Sequence, residues 1–154
     1  MFKFRILVNL IAFAFIIILS ACSSTHGNRK SKGWIKLFDG KSFNGWKINE
    51  NKETFSIEDG SIKVAGPRSH LFYDGPVLEH NFTNFEFKAQ VMTKQGSNSG
   101  IYFHTAFQEK GFPDKGFEVQ VNNSHTDWKR SGGLYDIKDT REVYVKDDVW
   151  YTEY

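Results

Sequence analysis

Hydrophobic and polar residues alternate along two neighbouring segments of the chain, residues 100–105 and 117–122. Successive side chains of a β-strand point to opposite faces, so each segment predicts a strand with one apolar and one polar face. The apolar positions are Ile101, Phe103, Phe117, Val119 and Val121, and the polar positions are Tyr102, His104, Glu118, Gln120 and Asn122. If the two strands share a sheet, a phenol, an imidazole, a carboxylate and two carboxamides meet on one face. Such a face is typical of sugar-binding sheets and of some hydrolytic ones.

The rest of the domain also carries strand signals. Residues 55–58 and 61–64 flank Asp59-Gly60, a dipeptide that favours a two-residue hairpin turn. No window after Cys22 has the periodicity of an amphipathic helix. The remaining strand candidates are residues 84–92, 134–137 and 150–154. Many short strands joined by glycine-rich turns predict an all-β sandwich.

The N-terminal residues have the pattern of an export signal. A basic start is followed by an apolar run over residues 6–19, which is short for a membrane-spanning helix. Small residues then precede Cys22, as in a lipobox, so we expect Cys22 to carry lipid. An ordinary signal peptide with an incidental cysteine is the alternative. The predicted divisions are a signal peptide at 1–21, a flexible tether at 22–32 and a β-sandwich at 33–154, giving an exported lipoprotein of the outer membrane that faces the periplasm.

Cysteine and charge exclude several kinds of site. Cys22 is the single cysteine, so the chain cannot form an internal disulfide, and a catalytic thiol is not expected. Five of the 20 basic residues and none of the 18 acidic ones lie in residues 1–32, which leaves residues 33–154 with 15 basic against 18 acidic. The domain itself is mildly acidic, which argues against nucleic acid as a partner.

Four motifs in order resemble one known family. The opening one, Trp34 to Trp46, has the sequence WIKLFDGKSFNGW, and the later ones are Asn98 to Phe103, Phe117 to Val121 and Ser131 to Tyr135. Together they resemble the 3-keto-disaccharide hydrolase domain family over residues 33–154. The resemblance implies a concanavalin A-like jelly-roll sandwich, of the lectin and glucanase type, that acts on glycosides oxidised at C3 of the sugar. Members of that family continue beyond the Trp150 region, so the sandwich is expected to be incomplete at its C-terminus.

The candidate chemistry uses few groups. Ordinary glycosidases need two carboxylates, about 5–5.5 Å apart when retaining and about 6.5–9.5 Å when inverting, whereas the neighbours of Glu118 on its strand face are amides. A 3-keto glycoside needs one base to remove the acidified C2 proton and one group to stabilise the enolate oxygen. His104 and Glu118 are the candidate catalytic pair, and the candidate substrate contacts are Tyr102, Gln120, Asn122, Asn98 and Trp128. His104 and Glu118, joined by Asp136 or His125, are also candidate ligands of a divalent metal, although no spacing is diagnostic.

Two classes of function follow from these observations. The first is an anchored hydrolase or lyase of 3-keto glycosides, which would work beside an oxidoreductase that makes the ketone. The second is a non-catalytic carbohydrate-binding module, because one fold hosts both activities. An inactive truncated fragment is a third alternative. Convergence of His104 and Glu118 in a concavity would favour the enzyme, whereas a groove rimmed by aromatic side chains would favour the binding module.

Overall fold

The computed structural model describes residues 33–154. The predicted signal peptide, lipid attachment at Cys22 and tether lie outside the described residues. Within residues 33–154, no helix is long and apolar enough to cross a membrane. The strands are β1 Trp46–Ile48, β2 Phe55–Glu58, β3 Ser61–Val64, β4 Leu71–Tyr73, β5 Ala89–Val91, β6 Ser99–Phe103, β7 Phe117–Val121 and β8 Tyr151–Glu153. Two 3-10 turns, Lys52–Thr54 and Val77–His80, are the helical elements of this part of the chain.

The eight strands pair antiparallel, as β1 with β4, β2 with β3, β5 with β8 and β6 with β7. Residues 35–154 form one compact unit. The described domain is therefore all-β and consistent with a β-sandwich, as the sequence predicts. The jelly-roll connectivity stays a prediction.

The hairpin around Asp59-Gly60 is confirmed. Glu58 pairs with Ser61, so the loop between β2 and β3 has two residues. Both residues have positive φ, 48° for Asp59 and 76° for Gly60. A type I′ turn requires positive φ at both central positions, which asparagine or aspartate followed by glycine adopts most readily.

The central ladder for function is β6–β7. Its register places Tyr102 opposite Glu118 and Gly100 opposite Gln120, with Phe103 opposite Phe117 on the other face. The predicted sharing of one sheet by these two segments is confirmed. A phenol and a carboxylate are therefore cross-strand neighbours on the polar face.

Several predicted strand bounds are wrong. Within residues 84–92 the strand is limited to Ala89–Val91, which pair with β8. Residues 134–137 form a tight turn in which Leu134 bridges Val119 and Lys138. Strands β1 and β4 are not among the predicted strands, because each has three residues and lacks a clear alternation.

The most buried part of the described domain is polar. Val121, which is 6% exposed, is the buried hydrophobic residue of residues 33–154. The buried polar or charged residues are Thr54, Thr93, Gln120, Asn122, Asn123, Lys129 and Glu153. Most of them surround the C-terminal end of β7, so hydrogen bonds as well as apolar packing hold this region together.

Candidate functional site

A tyrosine–glutamate pair lies at the middle of the β6–β7 polar face. The Tyr102 hydroxyl donates a 2.7 Å hydrogen bond to Oε2 of Glu118. Both side chains are half-buried. A Cβ atom at Gly100 would overlap the Glu118 carboxylate, so this carboxylate lies over the bare backbone of Gly100. Glycine at position 100 thus creates the space that the carboxylate occupies.

Burial controls the protonation of this pair. Desolvation raises the pKa of Glu118 above its ordinary value, although the Tyr102 hydrogen bond and the Lys129 charge oppose the shift. Asp136 contributes a further small increase to that pKa. Desolvation and the neighbouring carboxylate also raise the pKa of Tyr102, so its hydroxyl stays protonated and donates. A raised carboxyl pKa suits a group that accepts and returns a proton near neutral pH.

A buried lysine supplies positive charge to the pair. The Lys129 side chain is 11% exposed, and its Nζ lies 3.5 Å from the centre of the Tyr135 ring. Nζ forms an ion pair with Asp136 and lies 3.9 Å from Oδ2 of Asp139. The Tyr135 amide donates to the Glu118 carbonyl at 2.9 Å, which keeps this cluster beside β7.

Asn122 organises the loop that carries Lys129. Its side chain is fully buried, and Nδ2 donates to the carbonyls of Asp127 at 3.1 Å and Lys129 at 2.7 Å. Oδ1 accepts from the His125 amide at 2.9 Å. The carboxamide is therefore committed to the loop and presents no polar atom to a substrate in this conformation, which differs from the contact predicted from the sequence.

The other two predicted amide contacts touch each other. Nε2 of Gln120 donates to Oδ1 of Asn98 at 2.6 Å. Oε1 of Gln120 is buried and has no hydrogen-bond partner within residues 33–154. Asn98 is exposed and lies 3.5 Å from Nδ1 of His125, measured from its Nδ2. The exposed side chain of Asn98 can thus contact a ligand, whereas Gln120 is buried and fixes the position of Asn98.

Trp128 lies at the surface of the same loop. It is 40% exposed, and the Cζ atom of Arg141 lies 3.9 Å from its ring centre. Nζ of Lys129 lies 6.0 Å from that ring. The guanidinium covers part of the indole, which limits the ring surface that a sugar can reach.

The structure does not place His104 on the polar face. His104 follows the last residue of β6 and has a φ of 54°, so strand alternation ends before it. Its ring packs against Phe85 at 5.7 Å, Phe103 at 5.4 Å and Phe117 at 6.4 Å between centroids. The expectation that His104 points with Tyr102 is wrong, because the left-handed backbone turns the imidazole to the phenylalanine side.

His104 instead borders a separate concavity. Its Nε2 lies 3.3 Å from the Thr83 carbonyl oxygen. The concavity has a volume of about 430 Å³ and is lined by His80, Asn81, Phe82, Thr83, His104 and Thr105. The convergence of His104 and Glu118 that would favour the two-residue pair is therefore not seen.

A different histidine lies beside the pair. The His70 ring is 5.8 Å from the Tyr102 ring and nearly perpendicular to it. Its Nδ1 is buried without a hydrogen-bond partner in the described part of the chain. Desolvation lowers the pKa of His70, so the imidazole is neutral at neutral pH. The sequence did not point to His70. It precedes β4, a short strand whose residues do not alternate between apolar and polar, so the pattern assigns no face to His70.

The described residues give no metal-binding cluster. In residues 33–154, no group of three or more His, Cys, Asp or Glu side chains is arranged to hold a metal ion. His104 and Glu118 do not converge, and His125 faces Asn98 and the Asp127 amide. The candidate ligand set named from the sequence is thus not assembled here.

Comparison with known proteins identifies the family. Residues 33–153 match the 3-keto-alpha-glucoside-1,2-lyase-like domain family. The chain belongs to this family. It is also 32% identical over 133 residues to a 3-keto-disaccharide hydrolase of Bacteroides thetaiotaomicron, in an alignment that covers 68% of this chain and 45% of that protein. The chain therefore spans less than half the length of this curated relative.

No solved structure matches the chain. The family resemblance drawn from the four sequence motifs is confirmed by the match over residues 33–153. These comparisons name no site residues, so the candidate residues rest on the geometry of the β6–β7 face.

Proposed function

We propose that this protein cleaves the glycosidic bond of 3-keto glycosides, with Glu118 as the base. The observation that carries this proposal is the half-buried Glu118 carboxylate, hydrogen-bonded to Tyr102 and close enough to Lys129 to respond to its charge. Family membership and the relative named a 3-keto-disaccharide hydrolase support the substrate class. An oxidoreductase that oxidises C3 must supply such a substrate.

The proposed reaction requires one carboxylate. The Glu118 carboxylate removes the proton at C2, and the electron pair of the broken C–H bond forms the C2–C3 double bond of an enolate. Collapse of the enolate then breaks the C1–O bond, and the protonated Glu118 returns its proton to the leaving oxygen. Addition of water to the resulting enone gives net hydrolysis, whereas release of the enone gives a lyase.

Two neighbours assist the carboxylate in this proposal. The Tyr102 hydroxyl fixes Oε2 of Glu118 and leaves Oε1 for the C2 proton. The Lys129 ammonium, although ion-paired with Asp136, acts on Glu118 more strongly than Asp136 does, and it would stabilise the negative charge that develops on the enolate oxygen. Asn98, exposed above Gln120, is positioned to contact a hydroxyl of the sugar.

The test is turnover of a 3-keto glucoside by the full chain and its variants. We expect Glu118→Gln to lose at least roughly 100-fold in kcat, because an amide cannot take the proton. Tyr102→Phe should move the low-pH limb of the kcat/KM profile to higher pH. The hydrogen bond that this change removes lowers the pKa of Glu118, so its loss raises that pKa. If Glu118→Gln keeps turnover while His104→Ala abolishes it, the base is His104 and the assignment of Glu118 is wrong.

The carbohydrate-binding module remains the second candidate function. The exposed aromatic side chain of Phe112, in the loop between β6 and β7, favours it. Binding of 3-keto and unoxidised glucosides with no turnover of either would support this alternative and contradict the enzyme.

A further inference from the structure

Four side chains form a second cluster beside the Tyr102–Glu118 pair. Glu50 follows β1, Arg68 and His70 precede β4, and Phe112 belongs to the loop between β6 and β7. The Arg68 Cζ atom lies 5.2 Å from the Phe112 ring centre, and the His70 ring lies 5.6 Å from it. Pairing of β1 with β4 brings Glu50 and Arg68 together, since Ile48 lies opposite Leu71.

Glu50 and Arg68 form a two-pronged ion pair. Nε of Arg68 donates to Oε2 at 3.1 Å, and Nη2 donates to Oε1 at 2.9 Å. The Gly111 backbone amide also helps to lower the pKa of Glu50, so the loop lies beside this pair. No other acceptor for the Arg68 guanidinium is found within residues 33–154. The pair therefore presents N–H donors and carboxylate lone pairs side by side in a fixed plane.

His70 joins this cluster to the candidate catalytic pair. One imidazole contacts both the Phe112 ring at 5.6 Å and the Tyr102 ring at 5.8 Å. The ion pair, Phe112, His70, Tyr102 and Glu118 are thus consecutive neighbours.

We propose that Glu50, Arg68, His70 and Phe112 form a subsite for the leaving-group sugar, a neutral pyranose attached to the oxidised ring. The proposal deepens the proposed function and rests on it for the order of the two rings, with the 3-keto ring at Glu118. The four residues bind a sugar whether or not the bond is cleaved, so the subsite can be tested apart from turnover.

The chemistry of the cluster matches a pyranose. A sugar ring has one or two apolar C–H faces and a rim of hydroxyl groups. Phe112 is 62% exposed and offers apolar ring surface to such a face. The Glu50–Arg68 plane offers a donor and an acceptor to adjacent hydroxyls. Because the two charges neutralise each other, the subsite has no excess charge to favour an ionic ligand.

The test is binding of an unoxidised sugar, methyl α-D-glucopyranoside, to the full chain by saturation-transfer NMR titration. We expect saturable binding, weakened about tenfold by Phe112→Ala, since a well-packed aromatic contact contributes about one such factor. Arg68→Lys keeps the charge and removes the two-pronged geometry, so it should weaken binding as well. Phe107→Ala is the matched control: Phe107 is an exposed ring of the same loop that packs on Phe72, and its loss should leave binding unchanged.

Two results would overturn the subsite. One is the absence of saturable binding by the unmodified chain, and the other is equal binding by the Phe112→Ala and Phe107→Ala variants. Circular dichroism of each variant identifies unfolding, and Arg68→Lys then decides the question if Phe112→Ala does not fold. Failure of binding together with cleavage of a 3-keto glucoside would refute the subsite alone, whereas binding without cleavage would refute the proposed function alone.

Discussion

At the scale of single residues, the candidate site depends on a glycine, Gly100, which has no side chain. Glu118 extends over Gly100, the glycine on the same face of the neighbouring strand. Any larger residue there would occupy the volume of the carboxylate. The position of Glu118 is therefore set by a glycine that makes no polar contact of its own with a substrate.

We predict that Gly100→Ala lowers the free energy of unfolding by about 1–3 kcal/mol, because the new methyl group overlaps the Glu118 carboxylate. Denaturant unfolding followed by tryptophan fluorescence measures the change. The double variant with Glu118→Ala removes the overlap and should recover most of the loss. Additive effects of the two substitutions would show that the carboxylate is not the obstacle.

The alternation of apolar and polar residues predicted the part of the candidate site that lies within strands, Tyr102 and Glu118. Alternation placed Tyr102 and Glu118 on one face, and the β6–β7 register confirms it. His104 was misassigned because its positive φ breaks the alternation; histidine adopts positive φ more often than most residues, but the sequence does not show which histidine does so. His70 comes from a distant part of the chain and Lys129 from the loop after β7, and only the folded arrangement brings them beside the Tyr102–Glu118 pair.

At the scale of elements, a loop rather than a strand holds the charged part of the site. Residues 122–131 have no regular strand, yet Asn122 binds three backbone groups within them. The Ser131 hydroxyl accepts the Asn122 amide at 2.8 Å and donates to Oδ1 of Asn123 at 2.7 Å. These bonds give the loop a defined shape and keep Lys129 beside β7.

We predict that Asn122→Ala destabilises the domain by at least about 2 kcal/mol, because it leaves the buried Lys129 carbonyl and the part-buried His125 amide without their side-chain partner, while the Asp127 carbonyl keeps the Arg130 guanidinium. The matched control is Thr126→Ala, an exposed position in the same loop, where we expect a change of less than about 1 kcal/mol. Chemical denaturation of both variants makes the comparison. Similar values for the two would contradict the organising role of Asn122.

Local sequence signals predicted best those elements that depend on short-range interactions. The Asp59-Gly60 hairpin needs nothing beyond its own turn, so its strands were identified correctly. Residues 84–88 alternate equally well but are not part of strand β5, because a strand also requires a partner with free backbone groups. The loop at 122–131 was expected to carry binding residues, but its polar interior cannot be recognised from composition.

At the scale of the whole molecule, the described domain buries polar groups and exposes many large hydrophobic ones. Tyr144, Trp150 and Val149 are among the exposed hydrophobic residues near the end of the chain. Glu153, on β8, is only 9% exposed, and both of its carboxylate oxygens are buried without a hydrogen-bond partner in residues 33–154. The stability of this domain should therefore depend on pH.

Burial raises the pKa of Glu153 to about 7, and the nearby Tyr151 hydroxyl offsets only part of this increase. In the unfolded chain the pKa returns to its ordinary value of 4.5, so the folded state binds more protons between these pH values. The contribution of Glu153 to the free energy of unfolding is thus fully present below about pH 4.5 and is lost as the pH rises through 7. Each unit of pKa difference corresponds to about 1.4 kcal/mol.

We predict that Glu153→Gln flattens this dependence and raises the thermal midpoint above that of the unmodified chain at pH 8. Well below pH 4.5 the two proteins should unfold at the same temperature, since Glu153 is then neutral in both the folded and the unfolded state, as glutamine is. Calorimetry across this pH range makes the measurement. A larger advantage of the glutamine variant at acid pH than at pH 8 would contradict the assignment.

The β6–β7 register has one more consequence, for how errors in folding would appear. A slip of one residue in β7 would move Glu118 from the Tyr102 face to the phenylalanine face, since alternate residues of a strand exchange sides. Val119 or Phe117 would then stand opposite Tyr102, and an unpaired carboxylate would enter an aromatic cluster. A misregistered chain would accordingly lose its chemistry and its stability in the same event, so a protein that folds also has its carboxylate on the correct side.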